Sequence, residues 1–344
     1  MTKMLNEILE QPQALRKTFE AERAHALEFL KTSRERKFRL IVLVARGTSD
    51  NAAQFGRYLM EMTAGIPVSL CAPSVHTVYR AQIDYRQALV VGISQSGEGQ
   101  DINMVLEAAK RRGGYTIGIT NERDSSMAKV VDEVFLVHAG KQRSVAATKT
   151  YTGQLMLLYL LAASLGTAVS IESISEIPGH VEEALKLIPE LRELVERYRY
   201  MDHCVVVGRG LNYGNAFEFA LKLMETSYVI AERFSAADFM HGPIALIERD
   251  FPAFLFMPPG RTFKEMRELT ARLAKLHSEV VAISAPETRI PAANRVIRVP
   301  GNIPEIYTPI PYIVPGQVFA ALLSGIKGLD PDTPRSLRIV TKTV

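Results

Sequence analysis

The apolar positions of this chain fall into short unbroken runs, separated by longer stretches in which apolar residues recur every three or four positions. Leu40–Val44, Ala88–Ile93, Tyr115–Ile119 and Glu133–Val137 are runs rich in branched side chains. Around them Ala52–Met62, Ile102–Arg112, Met127–Val131 and Thr150–Ala163 carry the helical spacing. The alternation then returns, with strand-like runs at Cys204–Val207, Ala253–Met257, Val280–Ser284 and Arg295–Val299. Continuous apolar strands alternating with amphipathic helices predict parallel sheets covered by helices on both faces.

The pattern is a duplication. FRLIVLVARGTSDNAAQFGRYLME, from Phe38 to Glu61, is matched by MDHCVVVGRGLNYGNAFEFALKLME, from Met201 to Glu225. Arg46 and Arg209 are 163 residues apart, and so are Gln154 and Gln317. Two distant matches at one spacing argue for tandem copies of one unit. The predicted fold class is therefore α/β, as two tandem doubly wound αβα sandwiches. The expected organisation is a helical arm over 1–35, a first domain over 36–166 and a helical connector over 167–200. A second domain follows over 201–330, then a tail over 331–344.

Ligands of such sheets bind beyond the carboxyl ends of the strands, so the turns after each strand carry the candidate chemistry. Arg46-Gly47-Thr48-Ser49-Asp50-Asn51 and Ser94-Gln95-Ser96-Gly97-Glu98-Gly99 both lead into helices. Free amides at a helix start, with small and hydroxyl-bearing residues around them, suit an anion such as phosphate. Neither turn has the glycine spacing of a dinucleotide or nucleoside-triphosphate loop. In the second copy Glu218, Lys222 and Glu225 share one helical face, and His241 follows in a turn. A carboxylate and an imidazole can serve as a proton-transfer pair. The competing reading of that face is a solvated run of intrahelical ion pairs.

Composition narrows the class. A length of 344 residues allows roughly two domains. Hydrophobic residues at 47% and charged residues at 23% exclude a disordered chain. The net charge of +4 is scattered, with no basic run interleaved with aromatics, so no nucleic-acid partner is expected. Two cysteines cannot build a structural zinc site unaided, and the histidines are scattered, so no metal or cofactor is expected. The amphipathic N-terminus is not a signal sequence, and Leu155–Leu165 is short of the ~20 residues that span a bilayer. A cytoplasmic protein without a membrane partner is the expectation.

Gly47-Thr48-Ser49, Ile93-Ser94-Gln95-Ser96-Gly97-Glu98, Val145-Ala146-Ala147-Thr148-Lys149, Glu218 to Tyr228, His241 to Ile247 and Pro334-Arg335-Ser336-Leu337 together resemble the sugar isomerase (SIS) domain family. The resemblance is greatest to the isomerase half of the glutamine-dependent fructose-6-phosphate amidotransferases. It implies that Ser49, Ser94, Gln95 and Ser96 contact phosphate and sugar, with Thr48, Val145, Ala147 and Glu218 in the same binding motifs. Glu225 matches the base that moves a proton between C1 and C2, and Lys222 a neighbouring active-site lysine. His241 matches a ring-opening histidine that reaches in from a partner subunit, which implies a homodimer with a shared active site. Asp238 falls where the family has an acid.

Three positions depart from the family pattern. Gly99 and Ala147 lack expected hydroxyls, and Ile339 stands where the amidotransferases carry a Schiff-base lysine, leaving Lys342 or Arg338 as stand-ins. The sequence begins directly at the sugar domains, so a glutamine-dependent synthesis is not expected. The expectation is an isomerase/deaminase converting glucosamine 6-phosphate to fructose 6-phosphate and ammonia. The alternatives are a deglycase or isomerase of another phosphorylated amino sugar, and a non-catalytic sugar-phosphate sensor.

Overall fold

The computed structural model describes residues 1–166 and 168–337. The chain divides into two compact units. The first is built from Gln13–Gln142 and Lys149–Glu176, the second from Met1–Pro12, Arg143–Thr148 and Ile177–Ser336.

The first unit holds a parallel sheet of β1 (Leu40–Ala45), β2 (Val68–Leu70), β3 (Ala88–Ile93), β4 (Tyr115–Thr120) and β5 (Glu133–Leu136), in the order β2-β1-β3-β4-β5. Its strands β1 and β3 are apolar at every position because both faces are buried. Val42 and Val44 join the cluster formed with Ile102, Val105 and Leu106 of helix Gln100–Arg111. The intervening Leu43 faces the other way, toward the seam of helices Thr48–Ala64 and Lys149–Leu165, where Gly56 lets Leu158 approach.

The second unit repeats the design. Strands β6 (His203–Gly208), β7 (Ile230–Ser235), β8 (Pro252–Phe256), β9 (Glu279–Ser284) and β10 (Arg295–Arg298) are again all parallel, in the order β10-β9-β8-β6-β7. Read from the opposite edge this is the order of the first sheet. Val205 and Val207 pack on Met266, Leu269 and Leu273 of helix Phe263–Lys275. On the other face Phe254 sits among Phe219, Phe319 and Tyr198, at ring centroid separations of 5.1 to 5.5 Å.

All eight strands anticipated from the periodicity are present. The two that were not, β2 and β7, are edge strands. β2 has only three residues, and β7 exposes Ile230, Glu232 and Arg233, so neither offers the continuous apolar run that marks a central strand. The most apolar helix is Pro309–Ile326 rather than the 155–165 stretch; it is long and apolar enough to cross a bilayer, yet 89% of it is buried inside the protein. It is the core helix of the second unit.

Candidate active site

In the first unit, the turn after β3 is shaped by its own hydroxyls. Ser94 Oγ accepts from the Gly97 amide at 3.1 Å, and Ser96 Oγ accepts from Glu98 at 3.2 Å. Gly97 has φ of +66°, and a Cβ there would run into Ser125, so glycine is required by conformation and by space. Its carbonyl accepts from Met127 N and Asn103 Nδ2, while Thr120 Oγ1 and the Asn121 amide hold the Gln95 carbonyl. The turn is thus fixed from three sides. Its Gln95, Ser96 and Gly99 amides meet no acceptor among the described residues. Three unpaired N–H groups at a helix start are what an oxyanion needs. Gly99 is the N-cap and supplies no side-chain cap. Its φ of −63° would accept a hydroxyl-bearing residue, with Ile102 Cδ1 at 3.2 Å from the new Cβ having to yield.

The turn after β1 brings in Thr48 and the buried Ser49, which open helix Thr48–Ala64. Arg46 pairs through Nε with the buried Asp101 at 2.7 Å, which anchors this turn to helix Gln100–Arg111. The second unit repeats that pair as Arg209 with Glu265 at 3.0 Å.

The second unit does not repeat the open cradle. Met257 donates to Ile283 as Ser94 does to Ile119, so Met257-Pro258-Pro259-Gly260-Arg261-Thr262 occupies the corresponding turn. Both serines are replaced, and the turn is already filled. The Glu305 carboxylate accepts from Arg261 N at 2.7 Å and from Thr262 N and Oγ1 at 3.4 and 3.3 Å. A Cβ on Gly260 would collide with it. Only the first cradle is open to an external anion.

The Glu218–Lys222–Glu225 face is not a solvated run of ion pairs. Helix Tyr213–Ser227 runs alongside β6, and Glu218 and Lys222 on it are completely buried. Lys222 Nζ lies 2.5 Å from Glu225 Oε2 and 3.5 Å from Glu218 Oε1. Burial alone would push the ammonium down, but the two carboxylates outweigh it and hold Lys222 above its ordinary range. Glu225 keeps 20% of its side chain exposed, and among the described residues only its Oε2 is engaged. A carboxylate with one oxygen anchored and the other open is arranged for proton transfer.

His241 caps the short helix Ala236–Met240 through its backbone, and its exposed ring makes no hydrogen bond or ion pair among the described residues. Asp238 is engaged locally: its carboxylate accepts from Ser235 Oγ at 2.7 Å, and its amide donates to Ser235 Oγ at 3.2 Å. The structure does not pair His241 with Glu225. Val145 and Ala147 are half-buried in the loop 143–148, which packs with the second unit. The sequence reading missed what holds that loop: the buried Glu7 carboxylate accepts from Arg143 N at 2.5 Å and from Ser144 N at 3.3 Å. It also missed Tyr228, whose hydroxyl accepts from Arg335 N at 2.9 Å while the Arg335 guanidinium lies 3.9 Å from its ring centroid. Ile339, Arg338 and Lys342 lie outside the described residues.

Comparison with known proteins agrees with this geometry. The SIS domain family matches at residues 36–164 and 198–307, one segment on each sheet. The isomerizing glutamine–fructose-6-phosphate aminotransferase of Pyrococcus horikoshii is 36% identical over 342 residues, covering 97% of this chain and 56% of that protein. The chain therefore spans little more than half the length of such relatives. The C-terminal domain of glucosamine-fructose-6-phosphate aminotransferase from Francisella tularensis superposes with a TM-score of 0.87 at 29% identity, over 96% of this chain and 98% of that one. Glucosamine-6-phosphate deaminase from Thermotoga maritima shares the fold, with a TM-score of 0.80 at 24% identity over 99% of this chain and all of its own. With the family matched on both sheets and such identity along nearly its whole length, the chain belongs to the SIS domain family.

Proposed function

We propose that this protein is an aldose–ketose isomerase of phosphorylated amino sugars that releases ammonia, converting glucosamine 6-phosphate and water to fructose 6-phosphate and ammonia. The observation that carries the reading is the half-open Glu225 carboxylate, anchored by a buried ammonium. The phosphate is received by the unpaired amides and the hydroxyls of the Ser94–Gly99 turn, with Ser49 of the same unit as a further contact. His241 opens the ring; its exposed imidazole, without a partner among the described residues, supports a role toward a substrate or a partner subunit, and a homodimer belongs to the same proposal. Glu225 removes the C2 proton from the open-chain amino aldose and returns it to C1. The product is a ketose imine at C2. Water adds to that carbon, and the resulting carbinolamine expels ammonia to leave the ketone. Lys222 holds Glu225 Oε2 in place, and Glu218 holds the ammonium from its other side. The kinship with aminotransferases and the fold of a deaminase supports the substrate class, and the reading places the enzyme in the cytoplasm.

The test is direct. Purified protein given glucosamine 6-phosphate is expected to release ammonia and to exchange the C2 hydrogen with solvent deuterium. Glu225→Gln is expected to lose both while binding the sugar phosphate normally; turnover that survives in this variant would remove Glu225 from its role. The missing hydroxyls at Gly99 and Ala147 favour one second reading, a different phosphorylated amino sugar. Ammonia release from another member of a substrate panel, with none from glucosamine 6-phosphate, would select it.

A further inference from the structure

Helix Lys149–Leu165 of the first unit carries one glutamine that the proposed chemistry does not use. Gln154 is 1% exposed, and its Nε2 donates to Ser49 Oγ at 2.9 Å. Its Oε1 has no partner among the described residues. Gln154 is held in place by a tight seam, where Phe55 and Tyr159 meet edge to face at 5.0 Å and Gly56 admits Leu158. A serine hydroxyl offers one proton and two lone pairs. With the glutamine N–H occupying a lone pair, the Ser49 proton is the group left to point elsewhere, and no acceptor takes it among the described residues. The reverse amide orientation would leave both Nε2–H groups without an acceptor among the described residues, where the observed one leaves one N–H and the carbonyl; the extra buried N–H is the costlier group to strand.

The duplication separates this pair from a general requirement of the fold. Gln317 is the repeat counterpart of Gln154, and it is equally buried. Asn212 takes the place of Ser49 there and donates instead to Thr308 Oγ1 at 2.9 Å. Gln317 turns to the Thr148 carbonyl at 3.5 Å. The glutamine is in both copies, but its serine partner is only in the copy with the open cradle.

We infer that Gln154 is a positioning residue that sets the polarity of Ser49, committing its hydroxyl as a hydrogen-bond donor to the oxygens of the bound sugar phosphate. This inference rests on the reading of Ser49 as a ligand contact. A donor-committed hydroxyl favours an anion or a sugar oxygen lone pair, and disfavours a ligand N–H at that point.

The experiment uses the full chain and glucosamine 6-phosphate, with affinity measured by calorimetry in the Glu225→Gln background and KM and kcat measured without it. Gln154→Met keeps the shape and removes the donor. It is expected to weaken binding about tenfold, about 1.4 kcal/mol, and to raise KM more than it lowers kcat. Gln154→Glu keeps the volume but accepts the Ser49 proton, and is expected to weaken binding further than Gln154→Met. In a Ser49→Ala protein, Gln154→Met is expected to add nothing. Normal binding by Ser49→Ala would overturn the reading of Ser49 itself. Weakened binding by Ser49→Ala with normal binding by Gln154→Met or by Gln154→Glu would overturn the inference alone. Equal losses from Gln154→Met with and without Ser49 would also overturn it, since Gln154 would then act through packing.

Discussion

Lys222 carries its charge into a fully buried position between two carboxylates, and that arrangement sets its energetics. A buried ion pair is not in itself a large net stabiliser, because desolvation offsets the attraction. Removing one partner is different, since it strands the others. Lys222→Met is expected to destabilise the protein by about 3–5 kcal/mol in denaturant titrations, because Glu218 would be left without its ammonium in a dry site. Adding Glu218→Gln to that variant should recover part of the loss. If the double variant is no more stable than the single, the stranded charge is not the cause. The same geometry explains why the helical spacing alone was ambiguous. Glu218, Lys222 and Glu225 at i, i+4 and i+7 read equally well as exposed pairs, and only burial distinguishes an enclosed charge cluster from a solvated one.

Among the elements, helix Gln11–Arg36 is joined to the first sheet by a charged clasp. His25 reaches Glu22 at 3.1 Å and Glu133 of β5 at 3.4 Å, and stacks on Phe135 at 4.1 Å. Glu22 also takes His138 at 2.8 Å, and Tyr115 donates to Glu133, beside Asp132. The bonds to Glu133 and Glu22 push His25 up to about 9 from its ordinary 6.5, against the effect of burial. Burial works against the two carboxylates, but their histidine and tyrosine partners leave both below the usual range. The sign follows. The histidine contribution is complete below pH 6.5 and fades as pH rises through 9, while the carboxylate contributions fade as pH falls below 4.5. Urea unfolding of the wild type is therefore expected to lose stability between pH 7 and pH 10, with a shallower loss in His25→Gln. Parallel pH profiles would rule the clasp out as the cause.

At the scale of the molecule, the duplicated fold repeats the strand-to-helix turn proposed to receive phosphate, and Glu305 fills the second copy. Calorimetry is therefore expected to find one sugar phosphate per chain; two would contradict this. Helix Phe263–Lys275 has no side-chain cap from its own N-cap residue, so Glu305 supplies it. Glu305→Ala is expected to cost about 1 kcal/mol by thermal unfolding, the usual value of a lost cap. An unchanged melting curve would show the carboxylate to be incidental.

Much of this was legible in the residues. The order of strands and helices, the duplication and the Ser94–Gly99 turn follow from near-neighbour patterns, because burial of one face imposes a local period and a helix start imposes local chemistry. Edge strands β2 and β7 were not legible, since a half-exposed strand lacks the apolar run. The pairings that give the site its character are distant in sequence: Ser49 with Gln154, Glu7 with Arg143, and Glu305 with Arg261. No local period encodes which of two equivalent turns stays open, which face of a charged helix goes dry, or which hydroxyl is held as a donor. Those were decided by the tertiary structure, because each depends on what another part of the chain places within hydrogen-bond reach.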